Sequence, residues 1–377
     1  MDVHAITTAV AAKSSWINET LRKLVLIESP TEDSASVNAA MSFAAGVVRE
    51  LGGRVKLHKQ KHFGHVNEIR FGPVRSTKKP ILLLGHLDTV WPLGTLKTMP
   101  WQQKNGRFYG PGVLDMKAGV VMALAAVSVL RDLGLSRPVT LLLNSEEEVG
   151  SPISRPITEK LALKSAAVFV LEPAQGLAYK TARKGIGHYT LRVDGVAAHS
   201  GVDFERGHSA ILEMAKLVQT VSGFTDLAKK RTVNCGVITG GTRSNVIAAA
   251  CTVEVDVRVF TARDGQVVDR LFRRLKPSDP HCKLTVTGGL NRPPMERKAG
   301  TIALFQQVRK LAEQIGFQLD EAATGGGSDG NFTAALGIPT LDGMGAVGEG
   351  AHAPHESILI EHLIPRTALL AAMIAAT

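Results

Sequence analysis

Three short apolar runs, ILLL at 81–84, VTLLL at 139–143 and AVFVL at 167–171, limit the fold of this chain more than any other feature. Each is apolar throughout, which suits a strand covered on both faces rather than one with a solvent side. Helical patterns lie between and around them. Val37, Met41, Ala44, Val48 and Leu51 recur at steps of four and three before the stop Gly52-Gly53, and a second helix from about Lys117 to Leu133 halts at Gly134. Buried strands alternating with helices predict an α/β fold on a mostly parallel, mixed sheet flanked by helices. A helix at 301–315, a strand at 338–341 and a closing helix from Ile358 to Ala376, with Pro365 near its start, extend the same pattern.

The pattern changes near residue 181. IGHYTLRVDG alternates apolar and polar as a half-exposed antiparallel strand does, HSAILEMAKLVQTVS is helical, TVNCGVITGG and CTVEVDVRVF are strands, and a helix around Asp264 to Leu275 leads to CKLTVTGG. That order is a compact α+β unit. The expected organisation is therefore one α/β domain in two parts, 1–180 and 291–377, interrupted by a smaller α+β domain at 181–290. A length of 377 residues suits two domains.

Charge and cysteines narrow the setting. The formal net charge is +10, but Lys and Arg are scattered, with no aromatic-interleaved basic stripe or zinc-finger spacing. No nucleic-acid partner is expected, and a small anionic substrate suits the charge better. No apolar run approaches the roughly 20 residues of a membrane span, so no membrane partner is expected. No signal peptide is read at the N-terminus. Cys235, Cys251 and Cys282 fall outside any CxxC pattern, as reduced thiols of a cytoplasmic protein do.

In open α/β sheets, ligands bind beyond the carboxyl ends of the strands. ILLL is followed by GHLDTVWPLG with His86 and Asp88, VTLLL by NSEEEVGS with Glu146, Glu147 and Glu148, and AVFVL by Glu172. Asp115 lies in the glycine-rich YGPGVLDMKAG before a helix, and His352 and His355 lie in GEGAHAPHE. Each has an ordinary explanation alone: acidic residues favour helix N-termini, and an aspartate before a helix caps it. Their convergence on one sheet edge calls for a common cause. A mixed histidine and carboxylate set suits zinc and its first-row neighbours, and one this acidic can bind two ions. Two ions about 3.5–4 Å apart can activate a water and polarise a carbonyl oxygen. One carboxylate would bridge them, one unliganded carboxylate would take the proton of the attacking water, and Asp88 would orient the imidazole of the ligand His86.

GHLDTVWP, GPGVLDMKAG, EEVGS, LEP, GVAAHSG, SNVI, VDVR, GGGSDG and AHAPHE occur in this order along nearly the whole chain. Together they resemble the co-catalytic zinc peptidases and deacylases, a family that includes acetylornithine deacetylase, succinyl-diaminopimelate desuccinylase, aminoacylase and carboxypeptidase G. The resemblance implies a zinc-peptidase α/β domain interrupted by a lid used for dimerisation, hence a homodimer, with two Zn2+ per subunit or other ions such as Co2+ or Mn2+. It implies that His86 and Glu172 complete one metal ion and Glu148 and His352 the other, with Asp115 bridging. Glu147 would be the general base and later the acid. His199 in GVAAHSG would reach the partner subunit's site and stabilise the oxyanion, and Asn245 in SNVI would contact the carbonyl. Three glutamates stand where the family usually has Asp-Glu-Glu, and Ala248 stands where a proline is common. His355 competes with His352, whose spacing to Glu356 matches the family's His-x-x-x-Glu pattern.

The TVWP turn, GGGSDG and the Arg-Pro pair after the smaller domain are most similar to the glutamate carboxypeptidases of the carboxypeptidase G kind. That likeness implies a clamp of Arg258 and Arg292 on the substrate's α-carboxylate, Arg being suited to bidentate recognition. For Arg258 the alternative is a pair with Asp256 or Glu254. The expected activity is hydrolysis of the amide bond of N-acyl amino acids or peptides by a glutamate-type carboxypeptidase. The alternatives are an N-acyl-amino-acid deacylase and, in another class, a catalytically silent amino-acid or peptide-binding protein.

Overall fold

The apolar runs become the centre of a sheet because a strand with no polar face is stable only where both faces are covered. The computed structural model describes residues 2–73, 76–135 and 137–377, which divide into two units. The larger holds the chain up to Ala182 with Arg297–Ala323 and Ser328–Thr377; the smaller holds Arg183–Glu296 and Thr324–Gly327. Against the 181–290 read from the sequence, the smaller unit extends to Glu296 and takes in a short later segment.

The larger unit contains β1 (Arg54–His58), β2 (Val66–Phe71), β3 (Ile81–His86), β4 (Val139–Asn144) and β5 (Ala167–Val170), in the order β1-β2-β4-β3-β5, with Thr340–Leu341 beside β5. β3 pairs parallel with β4 and β5, and Thr340–Leu341 pairs parallel with β5. β1 and β2 run antiparallel at one edge. β3, β4 and β5 are buried at every position. Helices Ser34–Glu50, Ala118–Asp132, Ala299–Ile315 and Ile360–Ala376 bring Val37, Met41, Leu124, Val308 and Leu370 into the same core. Pro365 lies within the last helix. The stretch Val113–Asp132 is long and apolar enough to cross a membrane, contrary to the sequence expectation that no run approaches that length. It lies almost wholly inside the protein, and core burial on all sides accounts for the composition.

The smaller unit is an antiparallel sheet of β6 (Gly185–Asp194), β7 (Thr232–Gly240), β8 (Ala250–Val259) and β9 (Lys283–Arg292), in the order β7-β8-β6-β9. β6 alternates buried and open positions, as one face on a core requires. Helices Ala210–Ser222 and Ala262–Arg273 cover that face through Met214, Leu217, Val268 and Phe272.

Candidate metal centre

Parallel pairing brings the carboxyl ends of β3, β4 and β5 to one edge, and seven ionisable side chains among the described residues meet there. His86 closes β3, with Nε2 3.3 Å from Asp115 Oδ1 and 3.7 Å from Glu172 Oε1. Its Nδ1 is 3.0 Å from the carbonyl oxygen of Asp88 and 3.4 Å from that residue's carboxylate. An acceptor at Nδ1 assigns a proton there and turns Nε2 toward the carboxylates. The other oxygen of Asp115, Oδ2, is 3.3 Å from His352 Nε2, and Glu148 Oε2 is 3.2 Å from the same nitrogen. Asp115 thus stands between two imidazoles, one on each oxygen. His86, Asp115 and Glu148 offer ligand atoms within 4.8 Å of one another, and so do His86, Glu147 and Glu172. His352, not His355, reaches Asp115, and it holds a φ of 62°, a conformation that costs a non-glycine residue energy and clusters at functional sites.

The electrostatics ask for positive charge. Burial opposes a charge on His86, but bonds to Asp115 and Asp88 and the charges of Asp88 and Glu147 outweigh it and hold the pKa well above normal. Asp115 and Glu148 raise His352 to about 10. Burial pushes Asp115 up, yet His352 and His86 bring it well below the usual carboxylate range. Burial also pushes Glu148 up, and its Oε1 is buried with no hydrogen-bond partner among the described residues. Gathered carboxylates, imidazole nitrogens aimed at them and an orphaned carboxylate oxygen fit a divalent cation, which supplies the missing charge and accepts that lone pair.

Residues 82–376 match peptidase family M20/M25/M40. The chain belongs to this family. It is 29% identical to carboxypeptidase G2 of Pseudomonas sp. (strain RS-16) over 364 residues, 94% of this chain and 87% of the relative. It is 27% identical to acetylornithine deacetylase of Klebsiella pneumoniae (strain 342) over 381 residues, 92% of this chain and 93% of the relative. Aminopeptidase PepT of Bacillus cereus ATCC 10987 shares the fold, with a TM-score of 0.78 at 21% identity over 96% of this chain and 98% of that one. This M20 chain is a metallopeptidase or amidohydrolase.

Around the M20 centre, buried polar groups hold the candidate ligands. The carboxylate of Asp88 accepts the backbone N–H of Glu147 and of Glu148, each at 3.2 Å, and the Thr31 hydroxyl at 2.9 Å. Its closest bonds are therefore to the glutamate loop and Thr31, and the imidazole of His86 is met at hydrogen-bond distance by the Asp88 backbone. Glu146 points away from the cluster: Oε1 accepts from Ser154 N at 2.6 Å and Ile153 N at 3.2 Å, and Oε2 from the Ser145 hydroxyl at 2.8 Å. Asp329 of GGGSDG accepts from Asn144 Nδ2 and, at 2.5 Å, from the Ser151 hydroxyl, which fastens both ends of that loop.

Glu356 is fully buried and accepts four bonds, from Trp91 Nε1 (2.8 Å) and Gly112 N (2.9 Å) on Oε2 and from Leu114 N (2.8 Å) and Asp115 N (3.0 Å) on Oε1. It fixes the backbone that carries Asp115. The position of Glu172 depends on close packing: a Cβ at Gly119 would lie 2.1 Å from Leu171 O, and one at Gly345 2.2 Å from the same atom. Sequence reading missed Glu356, Asp329 and the two glycines as positioning elements; the only signals were His-x-x-x-Glu and the SDG triplet.

The other expected site residues lie in the smaller unit. His199 is exposed, its Nδ1 accepting from Gly201 N at 3.1 Å, and it bridges Val246, while Ser200 N donates to Asn245 O at 3.1 Å, so His199 and Asn245 belong to one pair of adjoining segments. Arg258 donates Nε to both oxygens of Asp256, at 3.0 and 3.1 Å. That engages one edge of its guanidinium in the pairing given as the alternative to a clamp. Arg292 is 4% exposed at the end of β9.

Proposed function

We propose that this M20 metallo-hydrolase is a two-zinc, glutamate-type carboxypeptidase that hydrolyses the amide bond of N-acyl amino acids or peptides. The observation that carries the reading is Asp115 with one oxygen on His86 and the other on His352, the arrangement a bridging carboxylate needs. His86 and Glu172 would hold one ion, Glu148 and His352 the other, and Asp115 both. When bound, the ions polarise the scissile carbonyl and make water more acidic. Glu147, next to the ligand Glu148, takes the proton of the attacking water and delivers it to the leaving nitrogen, yielding a carboxylate and an amine. His199, from the partner subunit, and Asn245, on the segment bonded beside it, contact the carbonyl oxygen as it gains charge. Arg292 takes the substrate α-carboxylate, joined by Nη2 of Arg258, whose Nε is held by Asp256 and Nη1 by Gly325 O at 3.4 Å. Similarity to carboxypeptidase G2 over 94% of the chain supports this substrate class, and similarity to an acetylornithine deacetylase supports the deacylase as the second reading.

A homodimer through the smaller unit belongs to the same proposal. β7 is an edge strand with Val237 and Ile238 52% and 57% exposed, and Ile211 and Leu212 on the neighbouring helix are exposed as well. An open apolar strand edge is a template for pairing with a second copy.

The test is release of free amine by the zinc-loaded protein from N-acyl amino acids and dipeptides in which the C-terminal residue and acyl group vary independently. Cleavage governed by a C-terminal glutamate and tolerant of large acyl groups is the expected result. Restriction to small acyl groups would move the reading to the deacylase, and no hydrolysis by protein with two bound ions would leave the binding protein. Sedimentation of wild type and Ile238→Lys tests the dimer, the variant being expected as a monomer.

A further inference from the structure

The sheet of the larger unit has a second edge, opposite the metal centre. Where β2 finishes at Phe71 and β4 begins at Val139 there is a cavity of about 220 Å³. Its apolar wall is formed by Leu51, Phe71, Val127, Leu130, Leu135 and Val139, and its polar side chains are Arg131 and Arg137. No acid is among its described lining residues. An adjoining cavity of about 360 Å³ shares Phe71 and Val139 and adds Arg54, Arg70, Lys78 and Lys164, again with no acid among the described lining residues.

Two of these arginines are accounted for. Arg131 donates to Asp132 at 2.9 Å and Arg70 to Glu68 at 2.6 Å. Arg137 is different. It is 9% exposed, its Nε is buried with no hydrogen-bond partner, and its guanidinium makes no hydrogen bond or ion pair among the described residues. A guanidinium does not escape burial by losing its proton, so a buried one requires an anion. No described side chain lining the cavity supplies it.

We propose that this cavity is a binding site for a small aryl-substituted carboxylic acid, its carboxylate on the guanidinium of Arg137 and its ring against Phe71, Val127 and Leu130. The planar fork of arginine matches a carboxylate, and an apolar cavity of about 150 Å³ is enough to take benzene. A cavity of about 220 Å³ therefore holds a ring with a short acidic tail. The site is distinct from the metal centre and does not rest on the proposed catalytic reading.

The experiment titrates 3-phenylpropionate into the full chain by calorimetry, with zinc loaded and after chelation, and repeats it with 3-phenylpropan-1-ol and with the variants Arg137→Met and Arg137→Lys. The expected result is saturable binding of the acid that is indifferent to chelation, about tenfold or more weaker for the alcohol and for Arg137→Met, and intermediate for Arg137→Lys. Without ligand, Arg137→Met should melt at or above the wild-type temperature and show no rise on adding the acid, because it removes a buried charge and its site together. Amide hydrolysis should be unchanged in both variants. The proposal is overturned if the acid binds Arg137→Met as it binds wild type, if chelation abolishes binding, or if no binding is seen up to about 10 mM. A fold defect in one variant leaves the alcohol and the other variant to decide.

Discussion

Glu356→Gln isolates what a single buried carboxylate does for the metal centre. Each oxygen of Glu356 accepts two N–H donors, all at 2.8–3.0 Å. Glutamine keeps the shape but turns one oxygen into an NH2 group, which faces two donors with no acceptor to offer. A buried donor left unsatisfied costs about 1–3 kcal/mol, so two orphans cost ~2–6 kcal/mol. Removing a carboxylate whose pKa burial has already raised returns part of that, leaving about 3 kcal/mol, or roughly a hundredfold in a local opening equilibrium. The cost falls on the loop that carries Asp115. Amide hydrogen exchange should therefore accelerate about a hundredfold at Gly112, Leu114 or Asp115 and little in β7 or β8. Metal content after dialysis should drop in the same variant, since Asp115 loses its fixed backbone. Exchange at all three amides within about threefold of wild type, with full metal retention, would refute the claim that Glu356 positions Asp115.

Other residues make separate predictions. Glu147→Gln should retain metal at the wild-type ratio while kcat falls about 10²-fold or more, and an undiminished rate removes Glu147 from the chemistry. His199→Ala, with metal content unaltered, should lower kcat by about 10²-fold if it stabilises the oxyanion; steady-state kinetics with the best substrate of the panel decides. Gly119→Ala places a Cβ 2.1 Å from Leu171 O, a backbone atom that cannot rotate aside, and should destabilise by about 1–3 kcal/mol or more in denaturant unfolding. Glu68 concerns pH. Burial would raise its pKa, but His58 at 2.9 Å and Arg70 at 2.6 Å bring it below the model-compound 4.5. A depressed folded pKa contributes stability that is complete above the unfolded pKa and lost as pH falls through the folded one. Glu68→Gln should be less stable than wild type at neutral pH, and the gap should close below about pH 4; a gap that persists there contradicts the ion-pair origin.

The sheet was legible because its three central strands need no long-range information: a run that is apolar at every position has to be covered on both faces. The antiparallel edge was not, since RVKLH and VNEIRF mix charge with apolar residues and VNEIRF joins the sheet only by pairing with β4, some 70 residues further on. The candidate ligands were legible for a related reason. Each sits at or just beyond an element whose end the sequence marks, so strand order alone brings His86, Glu148 and Glu172 together. What holds those ligands could not be read the same way. Glu356 meets donors 241 to 265 positions earlier, and Asp329 meets Asn144 across 185. Local spacing carries no record of such pairs.

The EEE triplet shows where the boundary lies. Three identical neighbours have the same propensity and charge, yet Glu146 turns inward to the amides of Ile153 and Ser154, while Glu147 and Glu148 face the histidines. What separates them is the backbone N–H of Glu147 and Glu148, both captured by Asp88. Once those two amides are tied just beyond the end of β3, the glutamate before them is directed into the loop and the two after it toward the candidate metal centre. The role of each glutamate is thus set by an aspartate just beyond a different strand, and exchanging Asp88 for Asn should disturb all three together: an amide can accept only one of the two N–H bonds at its oxygen. Loss of metal affinity in Asp88→Asn with unchanged exchange at the amides of Glu147 and Glu148 would show instead that Asp88 acts through the imidazole of His86 alone.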